Sequence, residues 1–354
     1  MNKTSVVLVA LLAAVVLAAA SHRWLALAWN AWRYPEAAPS DLTQIAIAGR
    51  RAYIAAGVGG IEVIDLNSGT TVSHVPPPAP ADRVDDLATI DGWLFALDAT
   101  IPGHLLVYSL ANPDRPMLAS QIAPAEVGPF SGVSAAPGIV AVSGGTSQLS
   151  LREFDGTGQL SASKFTADFG RGQPDIALRA DGRIAAISTH SFGPNFSVTL
   201  AQIQRAPLGL HAIGHVDLPN AGFTQGGYKP AHFPLTCAWV GDRLYVAHGG
   251  GLTVINAVDP RNPVVLVEDR RAAPAMDIAI ASNTLRLVRA GAQSAILRYG
   301  LDPVGLPVLQ AIHSLAPDEK PNAIASDRDL TLMTQQRKGL KVLAPNEFSL
   351  IPST

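Results

Sequence analysis

From residue 42 onward, apolar and polar positions alternate in short runs, the period of a strand that buries one face, and long 3.6-residue patterns are missing. These runs recur. Val240–Gly249 matches Ala48–Gly57 nearly position for position: a tight turn, an alternating strand, then glycine. Related segments begin at Trp93 (WLFALD), Gly138 (GIVAVS), Arg183 (RIAAIS), Thr284 (TLRLV) and Asp329 (DLTLMT). Each is followed by a second run: IEVIDL at 61–66, LLVYSL at 105–110, LSLREF at 149–154, VTLAQI at 198–203, LTVINA at 252–257, AILRYG at 295–300 and LKVLAP at 340–345. Short runs before the anchors (Gln44–Ala48, Asp86–Ile90, Asp175–Arg179, Asp277–Ala281) and after the second strands (Thr70–Val75, Met117–Ile122, Leu210–Val216, Pro263–Val267, Pro307–His313) complete four strands per unit.

The turns agree with the strands. Asp91-Gly92, Asp181-Gly182, Gly241-Asp242 and Ser282-Asn283 are residue pairs that tolerate the positive φ of tight hairpins. Asn112-Pro113-Asp114-Arg115-Pro116 and Asp259-Pro260-Arg261-Asn262-Pro263 sit between third and fourth strands, where proline fixes a turn and opens an outer strand. Seven four-stranded units with anchors 41–60 residues apart predict an all-β, seven-bladed β-propeller over residues 42–354. A β-sandwich or two smaller β domains would not need so regular a period. Small inner-strand residues such as Ile45-Ala46-Ile47-Ala48 suit a crowded axis, and Tyr53, Phe95, Trp239 and Tyr245 are expected to fill the gaps between blades. Phe348–Ile351 is expected to form the outermost strand of blade 7.

The string GLTVINAVDPRNPVVL at 251–266 resembles the bacterial LVIVD repeat, as do GIEVIDL and LLVYSLANPDRP. The likeness is good in units 1, 2 and 5 and loose in the others, where LREF, LAQI, LRYG and KVLAP replace the aliphatic-Asp ending. It implies an exported β-propeller and carries no catalytic residue to transfer.

Residues 1–34 form a separate unit. Lys3 precedes an uncharged run at 4–20, and Ala18-Ala19-Ala20 fits a signal-peptidase site. Trp24, Trp29, Trp32 and Tyr34 resemble an interfacial aromatic belt. A cleaved signal peptide and a retained transmembrane helix are both consistent with this pattern. Both place the propeller outside the cytoplasm, periplasmic or membrane-anchored, and residues 35–41 read as a linker. No cysteine near residue 20 allows lipoprotein attachment.

Composition narrows the function classes. A net charge of −2 lacks the basic excess that nucleic-acid binding requires. The single cysteine, Cys237, precludes an intramolecular disulfide and a four-cysteine zinc site, and its setting beside Ala238 and Trp239 suggests a buried small hydrophobe. No cofactor is implied.

In a propeller, second-to-third-strand turns and blade-to-blade connections share one face. The polar residues expected there are Asp98, His104, His190, Asn195, Tyr228, Lys229, His232, His248, Arg289 and Arg337. The insert at 217–234, which carries Tyr228, Lys229 and His232, and the connections 76–85 and 123–131 are long enough to suggest function. His190, His232 and His248 would be the ligands if a metal were bound, but no HxH or HExxH spacing supports one, and solvated loop histidines are favoured. Asp85, Asp175 and Asp277 recur at similar positions and are expected to satisfy strand-start backbone groups. His248-Gly249-Gly250-Gly251 reads as a hairpin turn, because a phosphate loop should open a helix. Arg270-Arg271 and Arg337-Lys338 read as solvated loops.

A repeating structural pattern without a repeating catalytic constellation points to a binding or scaffold module of the cell envelope, with a protein, peptide or glycan partner. The alternatives are a lactonase-like propeller hydrolase or an oxidoreductase working at the loop-rich mouth, and an accessory subunit of an enzyme encoded elsewhere.

Overall fold

The structure is a computed structural model that describes residues 43–79, 82–98, 103–122, 130–144, 148–168, 175–190, 196–218, 236–291, 293–327, 330–335, 339–343 and 349–350. Antiparallel sheets follow one another along the chain. Blade 1 is β1 (Ile45–Ala48), β2 (Arg51–Ala55), β3 (Ile61–Asp65) and β4 (Thr70–Val75). Blade 2 is β5 (Asp86–Ile90), β6 (Trp93–Asp98), β7 (His104–Ser109) and β8 (Met117–Ile122). Blade 3 is β9 (Phe130–Ala136), β10 (Ile139–Gly144), β11 (Gln148–Phe154) and β12 (Leu160–Asp168). Blade 4 is β13 (Asp175–Leu178), β14 (Ile184–His190), β15 (Phe196–Arg205) and β16 (Leu208–Leu218). Blade 5 is β17 (Thr236–Val240), β18 (Arg243–His248), β19 (Gly251–Asn256) and β20 (Val264–Asp269). Blade 6 is β21 (Ala275–Ala281), β22 (Thr284–Arg289), β23 (Ala295–Leu301) and β24 (Pro307–Ser314). Blade 7 is β25 (Pro321–Asp327), β26 (Leu330–Gln335) and β27 (Gly339–Leu343). The last strand, β28 (Ser349–Leu350), lies in blade 6.

Each first strand packs against the first strand of the next blade, and β25 packs against β1, so the seven blades close into a ring. The seven-bladed propeller read from the repeats is therefore the observed fold. The core is divided among the blade interfaces. Successive residues of a strand point to opposite faces, so Ile54 of β2 packs with Ala325 and Leu332 of blade 7, while Tyr53 packs with Leu94 and Leu106 of blade 2. The third residue of every second strand from β2 to β22 faces the following blade: Tyr53, Phe95, Ala141, Ala186, Tyr245 and Arg286. Among the described residues no blade has a core of its own, which is the energetic reason a single unit should not be stable.

Polar contacts repeat across the same interfaces. The Tyr53 hydroxyl donates to the Pro113 carbonyl at 3.0 Å, and the Tyr245 hydroxyl donates to the Gly305 carbonyl at 2.6 Å. In both cases the acceptor lies in the third-to-fourth-strand turn of the next blade. Two residues earlier, Arg51 pairs with Asp114 of the same turn, and Arg243 donates to the Val304 carbonyl at 3.4 Å. The pair Arg-x-Tyr is thus a device for gripping the neighbouring blade. Trp239 also bridges blades as expected, its Nε1 donating to the Ala177 carbonyl at 3.0 Å. Phe95 meets Phe154 of blade 3 edge-on, with ring centroids 5.1 Å apart. At the equivalent place in blade 6, Arg286 replaces the aromatic ring and donates to Ser326 Oγ of blade 7.

The expected place of the C-terminal strand is corrected. Ser349 and Leu350 pair with Ile312 and Ala311 on the outer edge of β24, so β28 is a fifth strand of blade 6. Blade 7 has three strands among the described residues. The ring still closes without exchanging a strand, because blades 7 and 1 meet through the cluster of Ile45, Ile54 and Leu66 with Ala325 and Leu332.

The turn chemistry is as read. Asp91 and Gly92 have φ of +47° and +80°, the left-handed pair of a type I′ hairpin. Among the described residues, no helix is long and apolar enough to cross a membrane. The apolar run at 4–20 and the tryptophan cluster lie outside the described residues.

Candidate functional site

Strand direction alternates within each blade, so second-to-third-strand hairpins and blade-to-blade connections open on one face, here termed the mouth. Three of the expected site residues, Asp98, His248 and Arg289, end second strands on this face. The structure gives them a shared task that sequence reading missed: each ties its own hairpin. Asp98 is fully buried and receives the His104 Nδ1 at 3.3 Å across the hairpin. His248, also buried, accepts the Gly250 N–H on Nδ1 at 3.0 Å, which leaves Nε2 as the donor to Thr253 Oγ1 at 2.7 Å. Arg289 donates from Nε to the Gln293 carbonyl at 2.9 Å and from Nη1 to the Arg271 carbonyl at 3.0 Å.

This removes His248 from the three-histidine metal reading. Both of its ring nitrogens are engaged, and burial lowers its pKa to about 4, so it is a neutral structural histidine. His190 ends β14, but its side chain lies outside the described residues, as do Asn195, Tyr228, Lys229, His232, Arg337 and Lys338. His248-Gly249-Gly250-Gly251 is the hairpin turn it was read to be, with β19 following. Arg271 is exposed, but it does not belong to a merely solvated pair. It forms an ion pair with the buried Asp269 at 2.8 Å, and Tyr299 donates to the same carboxylate at 3.1 Å.

A second group gathers at the axis. Asp86, Asp175 and Asp277 lie at or near the start of the first strands of blades 2, 4 and 6. The sequence reading put Asp85 in this set; its register was one residue off. Asp85 instead pairs with Arg83 at 3.1 Å, and Asp86 is the counterpart of Asp175 and Asp277. The signal that identifies it is a repeated Asp-aliphatic-Ala: Asp86-Leu87-Ala88, Asp175-Ile176-Ala177 and Asp277-Ile278-Ala279.

The expected backbone role holds and extends between blades. Asp86 takes the Leu87 N–H at 2.8 Å and the Val133 N–H of blade 3 at 2.6 Å. Asp277 takes the Ile278 N–H at 2.8 Å and the Ile324 N–H of blade 7 at 2.7 Å. Asp175 takes the Ile176 N–H at 2.8 Å. A Cβ added at Gly132 would lie 3.0 Å from both Asp175 Oδ1 and Ser143 Oγ and 3.6 Å from Asp86 Oδ2, so two of the carboxylates converge on one small space beside the glycine.

Burial pushes all three carboxyl groups up, against the pull of the backbone donors. Asp86 reaches about 8, with the Asp175 charge adding to the effect. Asp277 reaches about 7, again with Asp175 adding, and Asp175 itself reaches about 6. Cys237 is nearby: burial and then the Asp175 charge raise its thiol, which is the opposite of what a nucleophile requires.

One cluster at the mouth has the donor set of a metal site. Asp82, Asp98 and His104 offer ligand atoms that all lie within 4.8 Å of one another. Asp82 lies in the long connection into blade 2 and was not singled out from the sequence. On the opposite face, an open cleft of about 620 Å³ lies around Arg51, Tyr53 and Asp65. Within it Arg51 pairs with Asp65 at 3.1 Å, and the tyrosine hydroxyl is held by Pro113.

Ring closure, inter-blade cores and a mouth of locked hairpins define the class of this protein, a seven-bladed β-propeller. No protein-family model matches the sequence and no curated protein matches it, so the likeness to the LVIVD repeat rests on the residues quoted for it. Similar solved structures include a chain of the mitotic checkpoint complex, 11% identical with a TM-score of 0.58, the match covering 86% of this chain and 90% of that one. Another is the Myceliophteria thermophila Swd1 β-propeller domain, 12% identical with a TM-score of 0.61, covering 86% and 96%. At this identity the likeness shows the fold alone.

Proposed function

We propose that this propeller is a binding module of the cell envelope. It presents the mouth to a protein, peptide or glycan and is carried out of the cytoplasm by residues 1–34. The observation that carries the reading is what Asp98, His248 and Arg289 do: each locks a hairpin, which makes the mouth a rigid platform for recognition. The long connections read from the sequence at 76–85, 123–131 and 217–234 are expected on the same face, where they would add recognition surface to a fixed frame. A propeller of like fold is a component of the mitotic checkpoint complex, which supports a protein as the partner class. The uncharged run at 4–20 behind Lys3, with its following tryptophans, supports export.

The test uses the full chain in membranes, with a photo-crosslinking residue in place of Gly250 at the mouth or of Asn67 in the third-to-fourth-strand turn of the opposite face. A defined adduct from position 250 and none from position 67 is expected. Adducts from position 67 alone, or from neither position, would sink the binding reading. A C-terminal β-lactamase fusion should confer resistance, and an inactive fusion would refute export. The second reading, a hydrolase or oxidoreductase at the mouth, has one observation in its favour, the Asp82–Asp98–His104 cluster. Turnover in an ester and lactone panel, abolished in His104→Ala, would put it first.

A further inference from the structure

We infer that Asp82, Asp98 and His104 form a site for a divalent first-row metal ion, with zinc the best fit. The inference stands whether the mouth binds a partner or a substrate.

The three residues come from separate parts of blade 2. Asp82 lies in the connection from blade 1, Asp98 ends β6, and His104 begins β7 directly opposite Asp98 in the register. A set of atoms mutually within 4.8 Å has a common point no more than about 2.8 Å from each of them. Side-chain adjustments of up to about 0.8 Å then give the 2.0–2.2 Å bonds that zinc makes to imidazole nitrogen and carboxylate oxygen.

The spacing of the Asp98 and His104 atoms also suits two ligands of one ion, which would replace their hydrogen bond when it binds. His104 Nδ1 and Asp98 Oδ2 are 3.3 Å apart. The edge of a tetrahedron with bonds of about 2.0–2.1 Å is roughly 3.3 Å, the spacing of two ligands on one zinc ion.

The remaining atoms are arranged to orient these groups. Asp98 Oδ1 accepts the Arg83 N–H at 3.2 Å, which fixes the carboxylate plane. Asp82 Oδ2 accepts the Ala79 N–H at 3.0 Å, and its Oδ1 has no hydrogen-bond partner among the described residues. The same is true of His104 Nε2. Backbone donors that hold a carboxylate from behind are the usual outer shell of a metal ligand. Two carboxylates and one imidazole suit zinc, manganese or iron(II) better than copper(I), which favours sulfur, or calcium, which favours an all-oxygen shell. Three protein ligands leave a position open to water, and in zinc chemistry that position is where catalysis or partner docking takes place.

The test is metal binding by the purified full chain, stripped with a chelator and dialysed against zinc alone. About one zinc per chain by elemental analysis is expected, with affinity read by competition against a chromophoric chelator. His104→Ala and Asp82→Asn should each weaken binding by at least roughly 100-fold while leaving the thermal melt of the metal-free protein close to the parent's. Asp98→Asn should do the same to binding, but the residue is buried, so the two accessible variants decide. His248→Ala should keep its zinc. Cobalt(II) loaded in place of zinc should give visible d–d bands that disappear in His104→Ala. Less than roughly a tenth of a zinc per chain would overturn the inference. So would zinc retained at parental affinity in both His104→Ala and Asp82→Asn, which would place the ion elsewhere.

Discussion

The axial carboxyls make stability depend on pH in an unusual direction, and the dependence can be worked through. A carboxyl whose pKa in the fold lies above its unfolded value of 3.8 keeps its proton in the fold at pH values where the unfolded chain has lost it. Its stabilising contribution is complete below about pH 4 and is lost as pH rises through the folded value. Asp86 at about 8, Asp277 at about 7 and Asp175 at about 6 place that loss between pH 5 and 9. Summing the three titrations from pH 6.5 to 8.5 gives a loss of about 3 kcal/mol, roughly two-thirds of it from Asp86. For a ring of this size that is a fall of roughly 5 °C in Tm. The assay is thermal or urea unfolding in a constant-ionic-strength buffer series. Asp86→Asn is the decisive variant. It loses one of the two backbone N–H contacts and should be less stable at every pH, but most of the slope between pH 6.5 and 8.5 should vanish with it. A parent whose stability is level or rises across this window would refute the reasoning. So would an Asp86→Asn profile parallel to the parent's.

Other expectations follow from single contacts. Tyr245→Phe deletes the hydroxyl that donates to the Gly305 carbonyl at 2.6 Å and should cost about 1 kcal/mol in urea unfolding, with the m-value unchanged. Gly132→Ala places a methyl group 3.0 Å from Asp175 Oδ1 and Ser143 Oγ, and thermal melts should show a loss of about 1–3 kcal/mol from overpacking. His248 has a folded pKa of about 4 against an ordinary 6.5, so its contribution is present above pH 6.5 and is lost as pH falls toward 4. Relative to the parent, His248→Ala should therefore lack an acid-side slope of about 2 kcal/mol between pH 4.5 and 6.5, read from the difference between the two stability profiles.

The ring was legible because its physics repeats. A blade with no private core must turn the same strand position toward its neighbour in every unit, and such a constraint leaves a period in the sequence. Tyr53 and Tyr245 show it most plainly: an identical ring at an identical place, preceded two residues earlier by Arg51 and Arg243, each pair gripping the next blade's turn. The axial aspartates were legible as a set and wrong by one residue at blade 2. Two adjacent aspartates offered two registers, and only the following Leu87-Ala88 distinguishes them. The C-terminal strand was misplaced because two-residue pairing on an exposed edge imposes no pattern. Any blade edge with free backbone groups could accept Ser349 and Leu350, and β24 does.

The mouth was less legible for a related reason. Asp98, His248 and Arg289 occupy equivalent positions and do equivalent work with different chemistry: a carboxylate receiving an imidazole, an imidazole bridging a backbone N–H and a threonine, a guanidinium capping a carbonyl. A hairpin can be tied in many ways, so selection on the task does not preserve the residue, and a reading keyed to residue type takes three locks for three binding candidates. What separates Asp98 from the other two is the convergence of Asp82 from a different loop. Sequence spacing cannot show such a meeting, because the path between residues 82 and 98 runs through the whole first hairpin of blade 2. A rigid frame that repeats and a site that does not are both consequences of the same closed ring. The frame is specified seven times over, whereas chemistry at the mouth needs to be specified only once.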